Sequence, residues 1–88
     1  MHIIKGFTLR QLGNEYLLIA EDVKLINFNK MVTLNESAAF LWRKATERAF
    51  TVEDMAQWLV SEYEIDEQTA LRDAQKTLEE WQKAEIVK

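Results

Sequence analysis

The chain has 88 residues and a formal net charge of −4, with 48% hydrophobic residues, no cysteine and no proline. A chain of this length forms one domain, the lack of cysteine excludes disulfides and thiolate metal sites, and no secretory signal or membrane-spanning apolar run is present. These features predict a single cytoplasmic domain over residues 1–88 that does not bind a membrane. Residues 51–88 carry ten acidic and four basic side chains, which argues against binding to nucleic acid.

The first predicted element is a β-hairpin. Two runs rich in aliphatic and aromatic residues, Phe7–Leu12 and Glu15–Ala20, are separated by Gly13-Asn14. Both turn residues tolerate the positive φ angles that a two-residue hairpin turn needs. The sequence therefore predicts two antiparallel strands at the N-terminal end.

A third strand is predicted to end at Leu34. It covers Met31–Leu34 and is preceded by an apolar run, Leu25–Phe28, and by Asn29-Lys30, which predicts another tight turn. Lysine at the second turn position is a weaker choice than glycine. The pattern predicts the strand but not its pairing partner.

The periodicity of the apolar residues changes after Leu34 and predicts a short helix. Asn35 stands at the N-cap position, and Glu36 lies where the positive end of the helix dipole favours an acidic side chain. One face of this helix is apolar at helical spacing and comprises Ala38, Leu41, Trp42 and Ala45.

Two further helices are predicted from their caps. Thr51 with Asp54 three residues later is a capping-box variant, and apolar residues follow at helical spacing up to Tyr63. Asp66 caps a third helix of about five turns. Its apolar stripe comprises Leu71, Ala74, Leu78 and Trp81.

The order of the elements predicts an α+β fold. Strands followed by helices indicate a small winged-helix-like domain, with about three antiparallel strands and three helices packed on one side of the sheet. The apolar tail Ile86-Val87 is predicted to pack back on the domain as a short strand. A winged-helix DNA-binding protein has the same elements, but the last two helices lack its basic surface.

The residue types that catalysis needs are scarce. The single histidine, His2, lies beside a terminus that we expect to be frayed, and the chain has no glycine-rich phosphate loop and no zinc-ligand spacing. The acidic residues fit solvated helix faces, and an unaided carboxylate pair stays open as the alternative. We therefore predict a binding protein without a cofactor rather than an enzyme.

The run Val32–Trp42 carries the most specific pattern in the chain. A strand ending in Leu34-Asn35 leads into a helix with Ala38-Ala39 three positions before a tryptophan, and a Thr-led helix and a long last helix follow. This pattern resembles the PqqD family of small peptide chaperones, which hold the leader segment of a ribosomally made precursor peptide for a maturation enzyme. Departures at Glu47–Phe50 and Ala84–Ile86 leave open whether the chain serves the quinone-cofactor pathway.

The resemblance implies where a leader peptide would bind. In such domains the peptide adds as a strand beside the third strand and lies in a groove against the last helix. The strand matches Met31, Val32, Thr33 and Leu34, and the expected groove residues of the helix are Ala70, Leu71, Arg72, Ala74, Thr77 and Leu78. Of the charged positions, Arg72 and Lys76 are available for an acidic residue of the peptide. The alternative is that the small and apolar helix positions simply pack the core.

The resemblance also implies partners. They are the precursor leader peptide and a maturation enzyme, such as a radical enzyme that uses S-adenosylmethionine. An open strand edge would equally permit a homodimer formed by sheet pairing.

Four further side chains are assigned roles outside the peptide groove. Phe40 and Trp58 lie off the main apolar stripes and are predicted as a docking patch, which would make the chain an adaptor for a folded partner. The alternative is that these two rings cover one another beneath the loop from Ala45 to Phe50. Trp42 is predicted as a packing anchor, and Asn35 as a helix cap rather than a ligand contact.

Overall fold

The N-terminal hairpin begins the sheet of this computed structural model, which describes residues 1–20 and 32–88. Strand β1, Phe7–Leu12, pairs antiparallel with β2, Glu15–Ala20, in a register that joins Phe7 to Ala20 and Leu12 to Glu15. Gly13 adopts a φ of +63°, a conformation that costs glycine little. The predicted hairpin is confirmed. The predicted run Leu25–Phe28, the turn Asn29-Lys30 and Met31 lie outside the described residues.

Strand β3, Val32–Leu34, completes the described sheet. It pairs antiparallel with β2, so that Tyr16 lies opposite Leu34 and Leu18 lies opposite Val32. The strand order is β1-β2-β3, and in the described part of the chain β3 therefore has a neighbouring strand on one side only. The predicted strand is confirmed, and its partner is the second strand of the hairpin.

Helix α1, Glu36–Ala45, begins at the predicted cap. The Asn35 side-chain oxygen accepts a hydrogen bond from the Ala38 backbone N–H at 2.8 Å, which satisfies one of the free donors at the helix start. The predicted apolar face is buried and includes Ala38, Ala39, Leu41, Trp42 and Ala45.

Helices α2, Val52–Glu62, and α3, Glu67–Lys83, also begin at their predicted caps. The Thr51 hydroxyl accepts from the Asp54 N–H at 3.1 Å, and the Asp54 carboxylate accepts from the Thr51 N–H at 3.0 Å. The Asp66 carboxylate accepts from the Thr69 N–H at 2.7 Å. In the described part of the chain, no helix combines the length and the apolarity needed to cross a membrane.

The two ends of the chain are hydrogen-bonded to each other. The His2 N–H donates to the Lys88 carbonyl at 2.8 Å, the Lys88 N–H donates back at 2.7 Å, and Ile3 forms a β-bridge with Val87. Ile86 is fully buried. The predicted packing of the C-terminal tail on the domain is confirmed, with a single β-bridge at Val87 rather than a strand. The frayed terminus predicted around His2 is wrong, because these main-chain bonds hold it.

The core lies between one face of the sheet and helices α1, α2 and α3. Leu18 and Leu34 contribute from the sheet, and the Trp42 and Trp81 rings meet edge to face with centroids 5.5 Å apart. Helix α1 lies against β2 and β3, whereas α3 packs chiefly on α2. Leu34 of β3 and the α3 residues Ala70, Ala74 and Leu78 belong to the same buried core.

Candidate functional site

A cleft opens at the end of β3, between the start of α1 and the middle of α3. Its volume is about 220 Å³. Asn35, the first residue after the strand, lies on one wall, and α3 forms the other. The residues that line the cleft are Asn35, Ser37, Asp73, Lys76, Thr77 and Glu80.

Helical spacing explains why α3 presents these side chains together. Asp73, Lys76, Thr77 and Glu80 stand at intervals of three, four and seven residues, which places them along one side of a helix. The adjacent stripe, which includes Ala70, Ala74, Leu78 and Trp81, is buried in the core. The cleft side of α3 is therefore polar and runs parallel to its core side.

The charges that line the cleft are not paired with one another. No ion pair within 4.0 Å joins Lys76 to Asp73 or Glu80 in the described part of the chain. On the opposite wall, the Asn35 side-chain oxygen accepts from the Ala38 N–H and from the Ser37 hydroxyl at 3.1 Å. The Asn35 amide group still offers its two N–H donors.

The structure separates the predicted peptide-binding residues by exposure. On β3, Val32 is half-buried, Thr33 is exposed and Leu34 is buried in the core. Ala70 and Ala74 are 0% exposed. Leu78 is 8% exposed. Together with Leu34, these three helix residues form the packed layer behind the cleft, and of the predicted helix residues only Thr77 lines it.

Leu71 and Arg72 do not line the cleft. Leu71 is 37% exposed and points to the α2 side of α3, where it lines a separate hollow of about 160 Å³ with Ala56 and Val60. Arg72 is exposed on the outer surface of the helix. The helix stripe that we predicted from apolar character thus divides between the core and the α2 side.

Sequence reasoning missed several residues of the cleft. Asn35 was predicted only as a cap, and Ser37, Asp73 and Glu80 were not predicted at all. The available signal was the polar stripe of α3, whose spacing places Asp73, Thr77 and Glu80 on one line beside the core residues. Placing that stripe opposite Asn35 and Ser37 requires the tertiary structure.

Phe40 and Trp58 each pack against a different aromatic ring. The Phe40 ring meets Tyr63 edge to face with centroids 5.9 Å apart, and Trp58 lies 6.3 Å from Phe50. Both side chains are half-buried against the core. The alternative in which these two rings cover one another is therefore wrong, because Tyr63 and Phe50 take those places.

A larger cavity, of about 550 Å³, lies at the other end of α1. It is formed by the N-terminal residues His2–Phe7 and by Trp42 together with residues 45–49. None of the predicted site residues lines it, and it does not adjoin the open side of β3. Within the described residues, no group of three or more histidine, cysteine, aspartate or glutamate side chains is placed to hold a metal ion.

Comparison with known proteins gives one family and two similar folds. The family model described as "Coenzyme PQQ synthesis protein D (PqqD)" matches residues 15–87. No curated protein matches the chain. A structure described as "TbiB1 in Complex with the TbiA(beta) Leader Peptide" is similar at 18% identity and a TM-score of 0.75, over 100% of this chain and 95% of that one.

The second similar structure is described as "Lasso peptide synthetase B1 complexed with the leader peptide". It is 21% identical, with a TM-score of 0.67, over 93% of this chain and 89% of that one. At these identities the likeness establishes a shared fold. The matched family region contains β2, β3 and all three helices.

Proposed function

The chain belongs to the PqqD family, and on this premise we propose that it is a non-catalytic chaperone for a ribosomally made precursor peptide. It binds the leader segment of the precursor and presents the remainder to a maturation enzyme. Both of the similar folds were solved with a leader peptide bound, which supports a ligand of the same class. The proposal assigns no chemical step to this chain.

The edge of β3 that has no partner strand in the described part of the chain, next to the cleft at Asn35, is the observation that carries the proposal. Val32–Leu34 pairs with β2 on one side, and no other described strand lies on its opposite side. An extended peptide can add there as a further strand and use main-chain hydrogen bonds for affinity. Side chains of such a peptide that point toward the helices would enter the cleft bounded by Asn35 and Thr77.

The proposed binding residues fall into three groups by their expected role. Val32, Thr33 and Leu34 provide the strand along which the peptide pairs, and Met31, which lies outside the described residues, stays a predicted member of this group. Thr77 contacts its side chains, and Arg72 lies beyond the cleft on the outer surface of α3. The buried residues support the cleft from behind, and these are Ala70, Ala74 and Leu78. Leu71 faces α2 and has no direct role in this arrangement.

Such a chaperone acts by raising local concentration. A leader held on the chaperone keeps the modifiable segment within reach of a bound enzyme. The encounter between peptide and enzyme then becomes effectively intramolecular. The proposed partner is a maturation enzyme, such as a radical enzyme that uses S-adenosylmethionine. That enzyme would supply the chemistry and its cofactors.

Site-specific photo-cross-linking tests the proposal. A benzophenone amino acid placed at Thr33, which is exposed on the strand, is irradiated in lysate from the host of this protein. The captured species are identified by mass spectrometry searched against short open reading frames. We expect a short ribosomal peptide.

The matched control places the same amino acid at Gln57, which is exposed on α2. The peptide should be absent from that sample, because Gln57 lies on the far side of α3 from β3. Identical captures from both positions, or the capture of folded proteins alone, would contradict peptide binding at the strand edge.

The adaptor alternative places recognition at Phe40 and Trp58. It predicts that serine at both positions abolishes partner binding, whereas a change at Val32 has no effect. Because both rings also pack on the core, the melting temperature of the double variant must be measured alongside. No contact of the described residues favours this alternative over the open strand edge.

A further inference from the structure

We propose that the cleft selects a basic leader residue, a lysine or an arginine, through the carboxylates of Asp73 and Glu80. This inference rests on the proposed function and specifies the chemistry of the ligand. A side chain of the added strand that points toward α3 beside Leu34 would reach these two acids.

The charge balance of the cleft favours a cation. Asp73 and Glu80 lie on the same side of α3, about 10 Å apart along its axis. Among the described residues, Lys76 is the one basic side chain that lines the cleft, and it lies about one turn from each acid. Two acidic side chains and one basic side chain therefore give the described lining a formal charge of −1.

The hydrogen-bonding groups give the same preference. Two carboxylates offer acceptors only, and the Ser37 hydroxyl already donates its hydrogen to Asn35, so that its oxygen remains an acceptor. The donors among these lining residues are the Lys76 ammonium, the Asn35 amide and the Thr77 hydroxyl. An ammonium or guanidinium group of a ligand would add donors for the two carboxylates.

The opposite preference was expected from the sequence, because Arg72 and Lys76 are available for an acidic residue. Arg72 does not line the cleft, so its charge acts on a peptide from outside it. Lys76 does line the cleft and would favour an acidic peptide residue, but an acidic side chain lies on either side of it. A comparison of acidic and basic ligands therefore distinguishes the two expectations.

Selection from a random-peptide phage library tests the inference. The library is panned against the wild type, Asp73→Asn/Glu80→Gln, Lys76→Gln and the control Glu79→Gln, which removes one acid beside the cleft without altering its lining. We expect wild-type selections to carry lysine or arginine at one fixed position. This preference should persist in Glu79→Gln and Lys76→Gln and disappear in the double variant.

Binding of one selected peptide measures the effect. Replacing its fixed basic residue with glutamine should weaken binding to the wild type about fivefold, the upper range for a partly exposed charge pair. The same replacement should change binding to Asp73→Asn/Glu80→Gln less than about twofold. The melting temperatures of the four proteins show whether any loss comes from unfolding.

The outcomes separate the inference from the proposed function. If none of the four proteins enriches any peptide, the proposed function fails and the inference fails with it. Enriched peptides without a fixed basic residue, or with a fixed acidic residue that depends on Lys76, would overturn the inference and leave peptide binding intact. A basic preference that persists in the double variant would also overturn it.

Discussion

Helix α3 has two parallel sides with opposite properties. The core side, with Ala74 and Trp81, is almost fully buried against α2 and the sheet, whereas the side with Asp73, Thr77 and Glu80 borders an open cleft beside β3. Both sides belong to the same 17-residue helix. The contrast shows that one helix can hold the fold together with one side and border an open cleft with the other.

The division depends on how α3 is supported. Because α3 packs chiefly on α2 and buries only its core side, its polar side borders the cleft. Substitutions on the core side should therefore act mainly on stability. Substitutions on the cleft side should act mainly on binding.

Removal of the Trp81 ring should have the largest effect. Trp81 is 1% exposed and contacts both Trp42 and Phe50, with ring centroids 5.5 and 6.4 Å apart. We expect Trp81→Ala to lower the free energy of unfolding by about 3–5 kcal/mol, a large part of the total for a small domain. Urea unfolding measures this loss of stability. The comparison variant Trp58→Ala, at a half-buried site, should lose less free energy of unfolding.

The substitution Ala74→Thr puts on the core side of α3 the residue type that Thr77 provides on the cleft side. Ala74 is fully buried, so Ala74→Thr places additional volume and a hydroxyl group in a packed layer. We expect this change to lower the free energy of unfolding by about 1–3 kcal/mol. A neutral result in urea unfolding would mean that the layer behind the cleft is loosely packed.

The cap at Asn35 lies where the strand, the helix and the cleft meet. Asn35→Ala removes the acceptor for the Ala38 N–H and should lower the free energy of unfolding by about 1 kcal/mol. Asn35→Ser keeps an acceptor and should retain most of the stability. If Asn35→Ala abolished peptide binding while the melting temperature stayed unchanged, Asn35 would be a ligand contact rather than only a cap.

Acid should destabilise the starts of α2 and α3. The pKa of Asp54 is lowered chiefly by the hydrogen bond from the Thr51 N–H, and then by the Arg48 side chain. The pKa of Asp66 is lowered by hydrogen bonds from the N–H and the hydroxyl of Thr69. A lowered pKa in the folded state means that the stabilisation is present above the ordinary value and is lost as pH falls through the folded value.

The melting temperature measured across pH tests this linkage. It should fall as pH drops below about 4, the ordinary range for aspartate. Asp66→Asn keeps a cap acceptor but does not titrate, so that this variant combined with Asp54→Asn should show a shallower fall in acid. An equally steep fall in the double variant would assign the acid sensitivity to other carboxylates.

Changes on the cleft side should have the smallest effect on stability. Thr77→Ala, the counterpart of Ala74→Thr, and Asp73→Asn should each alter the free energy of unfolding by no more than about 0.5 kcal/mol. Urea unfolding and peptide binding are measured on the same samples. A stability loss above about 1 kcal/mol would show that the cleft side also supports the fold, and the contrast between the two sides would then not hold.

The site could be predicted in part from the sequence. The strand that ends at Leu34 and the helix that contains Thr77 were both predicted, because each has a clear pattern of its own. Leu71 was assigned to the groove because it is apolar, yet it faces α2. Which side of a helix meets which neighbour depends on packing between distant segments, and a single helical pattern does not contain that information.

The amino-acid sequence by itself determined the elements and their starting points. The caps Asn35, Thr51 and Asp66, and the turn at Gly13, depend on contacts within three or four residues, so that local chemistry is enough to predict them. The tertiary structure alone decided the pairing of β3 with β2, the covering of Phe40 by Tyr63, and the placement of Asp73 and Glu80 across from Asn35. These contacts join segments that are far apart in the chain, and they follow from how the helices and the sheet share one buried core.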